Sequence, residues 1–88
     1  PLKEKDLYLV RGNINIDDFL DFFGLDPDVL KDDYSTLSGF INNELERFAK
    51  VGDVISYKNL MISVKKTTQY TVDLCLVKAY PKEKDEEE

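Results

Sequence analysis

The chain has 88 residues, a formal net charge of −6, no histidine and one cysteine, Cys75. That length fits one domain, and 42% hydrophobic residues are enough to bury a core rather than leave the chain disordered. The acidic balance, without a basic stripe to track a phosphate backbone, argues against nucleic acid and disfavours an anionic leaflet. A lone cysteine excludes an intrachain disulfide, and no apolar run in the sequence is long enough to cross a bilayer.

Pro1 to Asp6 is charged and aperiodic and reads as a linker remnant (residues 1–6). With Pro1 rather than Met at its start, the chain is expected to be a piece of a longer protein. Leu7-Tyr8-Leu9-Val10 is a short apolar run of strand formers, ended by Gly12-Asn13, which tolerate positive φ. Asn15 is the expected N-cap of a first helix, with Asp17 and Asp18 in its first turn to suit the dipole. Ile16, Phe19, Leu20 and Phe23 share one helical face, and Gly24 stands at the C′ position. Asp26-Pro27-Asp28 is a turn, and Val29-Leu30 reads as an apolar plug in the loop after it.

Ser35 or Thr36 caps a second helix, whose periodic face is Leu37, Phe40, Ile41, Glu44 and Leu45; Phe48 closes the segment. Val51-Gly52-Asp53 is a tight turn into sheet. Val54 to Tyr57 and Leu60 to Lys65 flank Lys58-Asn59, a two-residue hairpin. Thr67 and Thr68 mark the next reversal. From Tyr70 to Tyr80, alternation places Tyr70, Val72, Leu74 and Leu76 on the face with more apolar bulk. The order β-α-α-β-β-β predicts an α+β domain over residues 7–80: an antiparallel sheet of about four strands with two helices on one face. Residues 81–88 form an acidic tail, expected to be disordered and solubilising.

Candidate chemistry is sparse. Without histidine there is no Ser-His-Asp or Cys-His arrangement and no imidazole ligand. The glycines are too dispersed for a phosphate loop. Asp17, Asp18, Asp21, Asp26, Asp28, Asp32 and Asp33 offer oxygen to a hard cation. Counting an EF-hand loop from Asp21 or from Asp26 misplaces the closing acid, and the set reads as a solvated face. Cys75 lies in the most apolar strand and reads as an inert core thiol. The tyrosines and phenylalanines lack the basic neighbours of a base-stacking platform. Ser35, Thr36, Ser38 and Gly39 are the one candidate binding stretch: a helix start rich in small residues can offer bare N–H groups to an anion, an adenine nucleotide or a flavin in this reading. Capping plus a close approach of helix to sheet is the competing structural explanation.

The ordered motifs resemble a known family. Val10-Arg11-Gly12 before the capped helix, Phe19-Leu20-Asp21-Phe22-Phe23-Gly24-Leu25, Thr36-Leu37-Ser38-Gly39-Phe40-Ile41, Val51-Gly52-Asp53-Val54-Ile55, Leu60 to Val64 and Tyr70 to Val77 are similar, in order and spacing, to the signatures of the transporter-associated (CorC/HlyC) domain. Three positions depart from the pattern. Ser38 stands for the first signature glycine, which suggests a looser demand for close backbone approach. Ala49 stands for a usual proline, and Gln69 falls near a frequent arginine, which weakens an anion site there. The resemblance implies a non-catalytic C-terminal regulatory domain of hemolysin-like magnesium and cobalt efflux proteins with paired CBS domains. It implies a place on the cytoplasmic side of the membrane, partners among the parent's other domains or in a homodimer, and a fold similar to an FAD-binding PCMH-type subdomain. It carries no catalytic residues and no required cofactor. An apolar patch outside the core is expected, with Tyr8, Tyr57 or Tyr80 contributing.

Overall fold

A computed structural model describes residues 6–26 and 34–81. Its elements follow the expected order: β1 (Asp6–Arg11), α1 (Ile16–Phe22), α2 (Leu37–Leu45), β2 (Val54–Tyr57), β3 (Leu60–Thr68) and β4 (Thr71–Ala79). The four strands form one antiparallel sheet in the order β1-β4-β3-β2. Chain order therefore becomes a meander of the last three strands, with β1 added beside β4. β1 takes in Asp6, one residue earlier than expected. The plug at Val29-Leu30 and the acids Asp28, Asp32 and Asp33 lie outside the described residues.

Both helices start where capping chemistry puts them. Asn15 Oδ1 accepts hydrogen bonds from the N–H groups of Asp17 and Asp18, and Thr36, rather than Ser35, caps α2. The two caps face each other as an antiparallel bridge, Asn15 to Thr36. Around it, Ile16 N–H donates to the Ser35 carbonyl and Leu37 N–H to the Ile14 carbonyl. One small backbone ladder thus fixes both helix starts against each other.

Both helices also end in the same way. After α1, Gly24 adopts φ 73; its N–H donates to Asp21 and that of Leu25 to Leu20, which is the Schellman pattern. After α2 the same pair of bonds runs from Glu46 to Asn43 and from Arg47 to Asn42. There the left-handed residue is Glu46, at φ 60, a conformation that is strained for a residue with a Cβ.

The core lies between the helices and one sheet face. Phe19, Leu20, Leu37, Phe40 and Ile41 from the helices meet Leu60, Ile62, Val64, Val72, Cys75 and Val77 from the sheet. Burying each of these side chains contributes on the order of 1.5–3 kcal/mol. Two features of the sheet depart from expectation. The reversal falls at Gln69-Tyr70, because β3 runs on through Thr67 and Thr68 to pair with β4. The register also shifts between Val64 and Lys66 and between Lys66 and Thr67. This irregularity breaks the alternation of β4: Val72 points inward, and so do Cys75 and Val77 three and five residues on. Leu74 and Leu76, expected on the same face as Val72, are only partly buried.

The end of α2 yields a direct test. Glu46→Gly should stabilise the protein by about 0.5–1 kcal/mol, because glycine adopts the left-handed position without a Cβ clash. Urea unfolding monitored by circular dichroism reads the change, and no gain in midpoint would contradict the assignment of strain there.

Candidate functional site

The stretch singled out by sequence is a junction between helix and sheet. Ser38 is only 5% exposed. Its N–H donates to the Gly12 carbonyl at 2.8 Å, and its Oγ accepts from the Val72 N–H at 2.8 Å. Thr36 Oγ1 accepts from the Gly39 N–H at 3.1 Å, and Phe40 N–H donates to the Thr36 carbonyl. Ser35 contributes the carbonyl that holds Ile16. Ser35, Thr36, Ser38 and Gly39 are therefore brought together, and the first four N–H groups of α2, from Leu37 to Phe40, all donate to groups of the protein itself. The donors that an incoming anion would use are engaged, as capping and close approach require.

The approach is tight at two glycines. A Cβ built on Gly12 would lie 1.8 Å from the Val72 carbonyl oxygen, and one on Gly39 would lie 2.8 Å from Cβ of Tyr34. Gly12 N–H also donates to the Asp73 carbonyl. The serine at position 38 thus marks no looser packing: its hydroxyl satisfies a sheet N–H that α2 covers. Ala49 has a similar explanation. It replaces a usual proline, and its N–H, which proline lacks, donates to Asn42 Oδ1 at 2.8 Å. Gln69 takes φ 54 in the β3–β4 turn, so its role there is conformational.

Other candidates separate. Asp17, Asp18, Asp21 and Asp26 belong to no group of acids able to hold a metal among the described residues. The Cys75 thiol is fully buried, and burial pushes its pKa up to about 12, so the nucleophilic thiolate is suppressed. Tyr57 packs edge-on against Phe40 at 5.1 Å. Burial pushes its phenol up, and Glu44 and Asp26 add to the effect. Among the described residues, its hydroxyl and Asn59 Oδ1 are buried and find no hydrogen-bond partner. A shallow hollow of about 610 Å³ lies beside them, lined by Leu25, Ser56, Lys58, Asn59, Leu60, Met61, Tyr80 and Pro81.

The charged fastening of the fold sits at the α2–β2 connection. Arg47 grips Asp53 with both guanidinium nitrogens, at 2.8 and 2.9 Å, and Lys50 N–H donates to the same carboxylate. These bonds, from Arg47 first and the Lys50 backbone second, hold Asp53 at a pKa of about 2, below the ordinary value of 3.8.

The surface with most capacity for contact is the sheet face that no described element covers. Its cross-strand rows follow from the register: Leu9-Leu76-Ser63-Val54, Leu7-Lys78-Met61-Ser56 and Arg11-Leu74-Lys66. Leu7, Leu9 and Val54 are 57%, 68% and 50% exposed. The tyrosines expected to form an apolar patch do so less than these leucines. Tyr8 turns to the helix side, edge-on to Phe22 and Phe23. The signal was available in Leu7-Tyr8-Leu9-Val10, since a strand covered on one face must expose alternate members of an apolar run. Charge is segregated as well. The open face carries Arg11, Lys66 and Lys78 around its leucines, whereas α1 and α2 contain acids and no basic residue.

These features define a two-layer α+β domain that offers a sheet face for contact. Among the described residues no helix is long and apolar enough to cross a membrane. The transporter-associated domain model, CorC_HlyC, matches residues 3–80, and the chain belongs to that family. Solved structures agree in fold. A CorC_HlyC domain from Haemophilus ducreyi superposes with a TM-score of 0.79 at 18% identity, covering 92% of this chain and 96% of that one. A transporter-associated domain from a Xylella fastidiosa hemolysin, in complex with Mg and Mn, gives 0.72 at 19% identity, covering 85% and 89%. The transporter-associated domain of a CBS domain protein from Porphyromonas gingivalis gives 0.71 at 18% identity, covering 85% and 90%. None of the curated proteins compared with the chain matches it.

Two predictions test the junction and the fastening. Ser38→Ala leaves the buried Val72 N–H without its acceptor and should cost about 1–3 kcal/mol in chemical unfolding; an unchanged midpoint would refute the role given to the hydroxyl. Because the folded-state pKa of Asp53 is depressed to about 2, its contribution to stability is complete above the unfolded value and is lost as pH falls from about 4 to about 2. Asp53→Asn should therefore melt below the parent at pH 7, and the two melting temperatures should converge near pH 2. A gap that persists unchanged at low pH would mean that charge is not what Asp53 supplies.

Proposed function

We propose that the domain is a non-catalytic regulatory and docking unit of a hemolysin-like, CBS-domain-containing magnesium or cobalt transport protein, lying on the cytoplasmic side of the membrane. The observation that carries this reading is the open sheet face, with apolar rows bordered by Arg11, Lys66 and Lys78. Its occupant is a neighbouring domain of the same parent, with an apolar centre and an acidic rim. Membership of the transporter-associated family supports the setting, and the Porphyromonas gingivalis neighbour comes from a CBS domain protein. The lack of histidine and the burial of Cys75 support a non-catalytic role.

In physical terms the domain acts as a ligand tethered to its own receptor. Docking that differs in affinity between two states of the transport unit shifts their populations by that difference, typically about 1–3 kcal/mol. The face stays exposed when undocked because its leucines are diluted by Ser56, Ser63 and the three cations.

The test adds the isolated domain to a parent protein from which it has been removed, and follows binding by calorimetry. The double variant Met61→Glu/Val54→Glu should weaken binding at least about tenfold, whereas Asn43→Glu, exposed on α2 in the helix layer, should leave it unchanged. Equal binding by both variants, or no binding by any, would overturn the docking reading. A melting temperature raised by AMP, ATP or FAD would replace it with ligand sensing.

A further inference from the structure

The geometry of β1 points to a second surface, and we infer that it is a homodimerisation edge. Two copies of the chain pair antiparallel through Leu7 and Leu9, about a two-fold axis at Tyr8. This inference goes beyond the docking reading and does not depend on it.

β1 is an edge strand, since the sheet order is β1-β4-β3-β2. The direction of its backbone groups follows from the hydrogen bonds of the neighbouring strands. Val64 donates to Asp53 and accepts from Gly52, so both of its polar backbone groups turn towards β2. Cys75, opposite Val64, must then turn its groups to β1, where its partner is Val10. The Gly12 N–H bond to the Asp73 carbonyl has the same parity. Tyr8 and Val10 therefore face β4, and Leu7 and Leu9 aim their N–H and C=O groups at the open edge.

Such an edge is a template for another strand unless it is blunted by proline, a bulge or charge. The charges of this one, Asp6 and Arg11, stand at its two ends, and from Leu7 to Val10 it carries no charge and no proline. The other edge, β2, is only four residues long.

A second copy fits the template. In antiparallel pairing about Tyr8, Leu7 of one copy stands opposite Leu9 of the other, twice over. Each of these pairs exchanges both backbone bonds, giving about four new hydrogen bonds. The parity also keeps side chains on matching faces, so Leu7 and Leu9 of both copies form one apolar strip on the open side. On the helix side, Phe22 is 66% exposed and rests edge-on against Tyr8 at 5.4 Å, so both copies bring an aromatic pair to the axis. No charge opposes its like across the four residues from Leu7 to Val10. A face-to-face dimer, by contrast, would bring together two faces that both carry Arg11, Lys66 and Lys78, so like charge favours the edge over the face for a second copy.

Sedimentation velocity on the chain from about 1 µM to about 1 mM, the range in which weak interfaces associate, tests the inference. A dimer should grow in with concentration, and amide exchange at Leu7 and Leu9 should slow in step. Leu9→Lys places a charge on a side chain that is 68% exposed, so the fold is retained, as circular dichroism should show. It should weaken the dimer at least about tenfold. Val51→Lys and Met61→Glu/Val54→Glu should leave it intact, which separates this edge from the docking face. A monomer throughout the range, or a dimer that survives Leu9→Lys, would overturn the inference.

Discussion

The fold depends on the contact at which α2 meets the sheet through Gly12, Ser38 and Val72. Three backbones converge there. The Gly12 carbonyl accepts from Ser38, the Ser38 hydroxyl accepts from Val72, and the Gly12 α-carbon lies so close to the Val72 carbonyl that a Cβ would not fit. One helix turn is thereby pinned to two strands that are remote in sequence. Once the turn is fixed, Leu37, Phe40 and Ile41 must face the inner side of the sheet. α1 follows because its cap, Asn15, is bridged to Thr36. A buried N–H without an acceptor is costly, so the serine acts both as a packing group and as a hydrogen-bond partner. This is why a segment that resembles an anion-binding helix start serves here as a fastening.

Much of this was legible in the sequence, and what was not has identifiable causes. Capping chemistry identified the starts of both helices, since Asn15 and Thr36 bond N–H groups two or three residues ahead. Gly24 marked the end of α1, but nothing comparable marked that of α2, because Glu46 occupies a conformation usually left to glycine. The hairpin at Lys58-Asn59 was visible from its two-residue spacing. The irregular pairing between Val64 and Thr67 was not. Period-two alternation assumes an unbroken ladder, and an extra residue inverts every face assignment beyond it. This is why alternation puts Leu74 and Leu76 on the face of Val72, whereas the structure turns them to the other side. The hydroxyl-rich stretch was recognisable by composition, yet whether its N–H groups were free depended on Gly12 and Ile14, some 25 residues earlier.

The division of surface follows from the same economy of size. With so few residues, two short helices cover one side of a four-stranded sheet and nothing in the described chain covers the other. The cation-bordered leucines of the open side and the acids of the helices give the domain a polarity. An acidic partner is drawn to the sheet and repelled from the helices, so electrostatics sets the orientation of approach while apolar contact supplies affinity.

The two proposed contacts use different chemistry and therefore coexist. Edge pairing engages backbone groups of Leu7 and Leu9 in the plane of the sheet, whereas docking engages side chains that stand perpendicular to it. Joining two copies through β1 would extend the open face into one eight-stranded surface with the helices of both copies on its far side. A two-fold symmetric parent could then meet two docking faces held at fixed separation. The second contact would form at the effective concentration set by the first, so two individually weak interfaces would act together as a strong and reversible one.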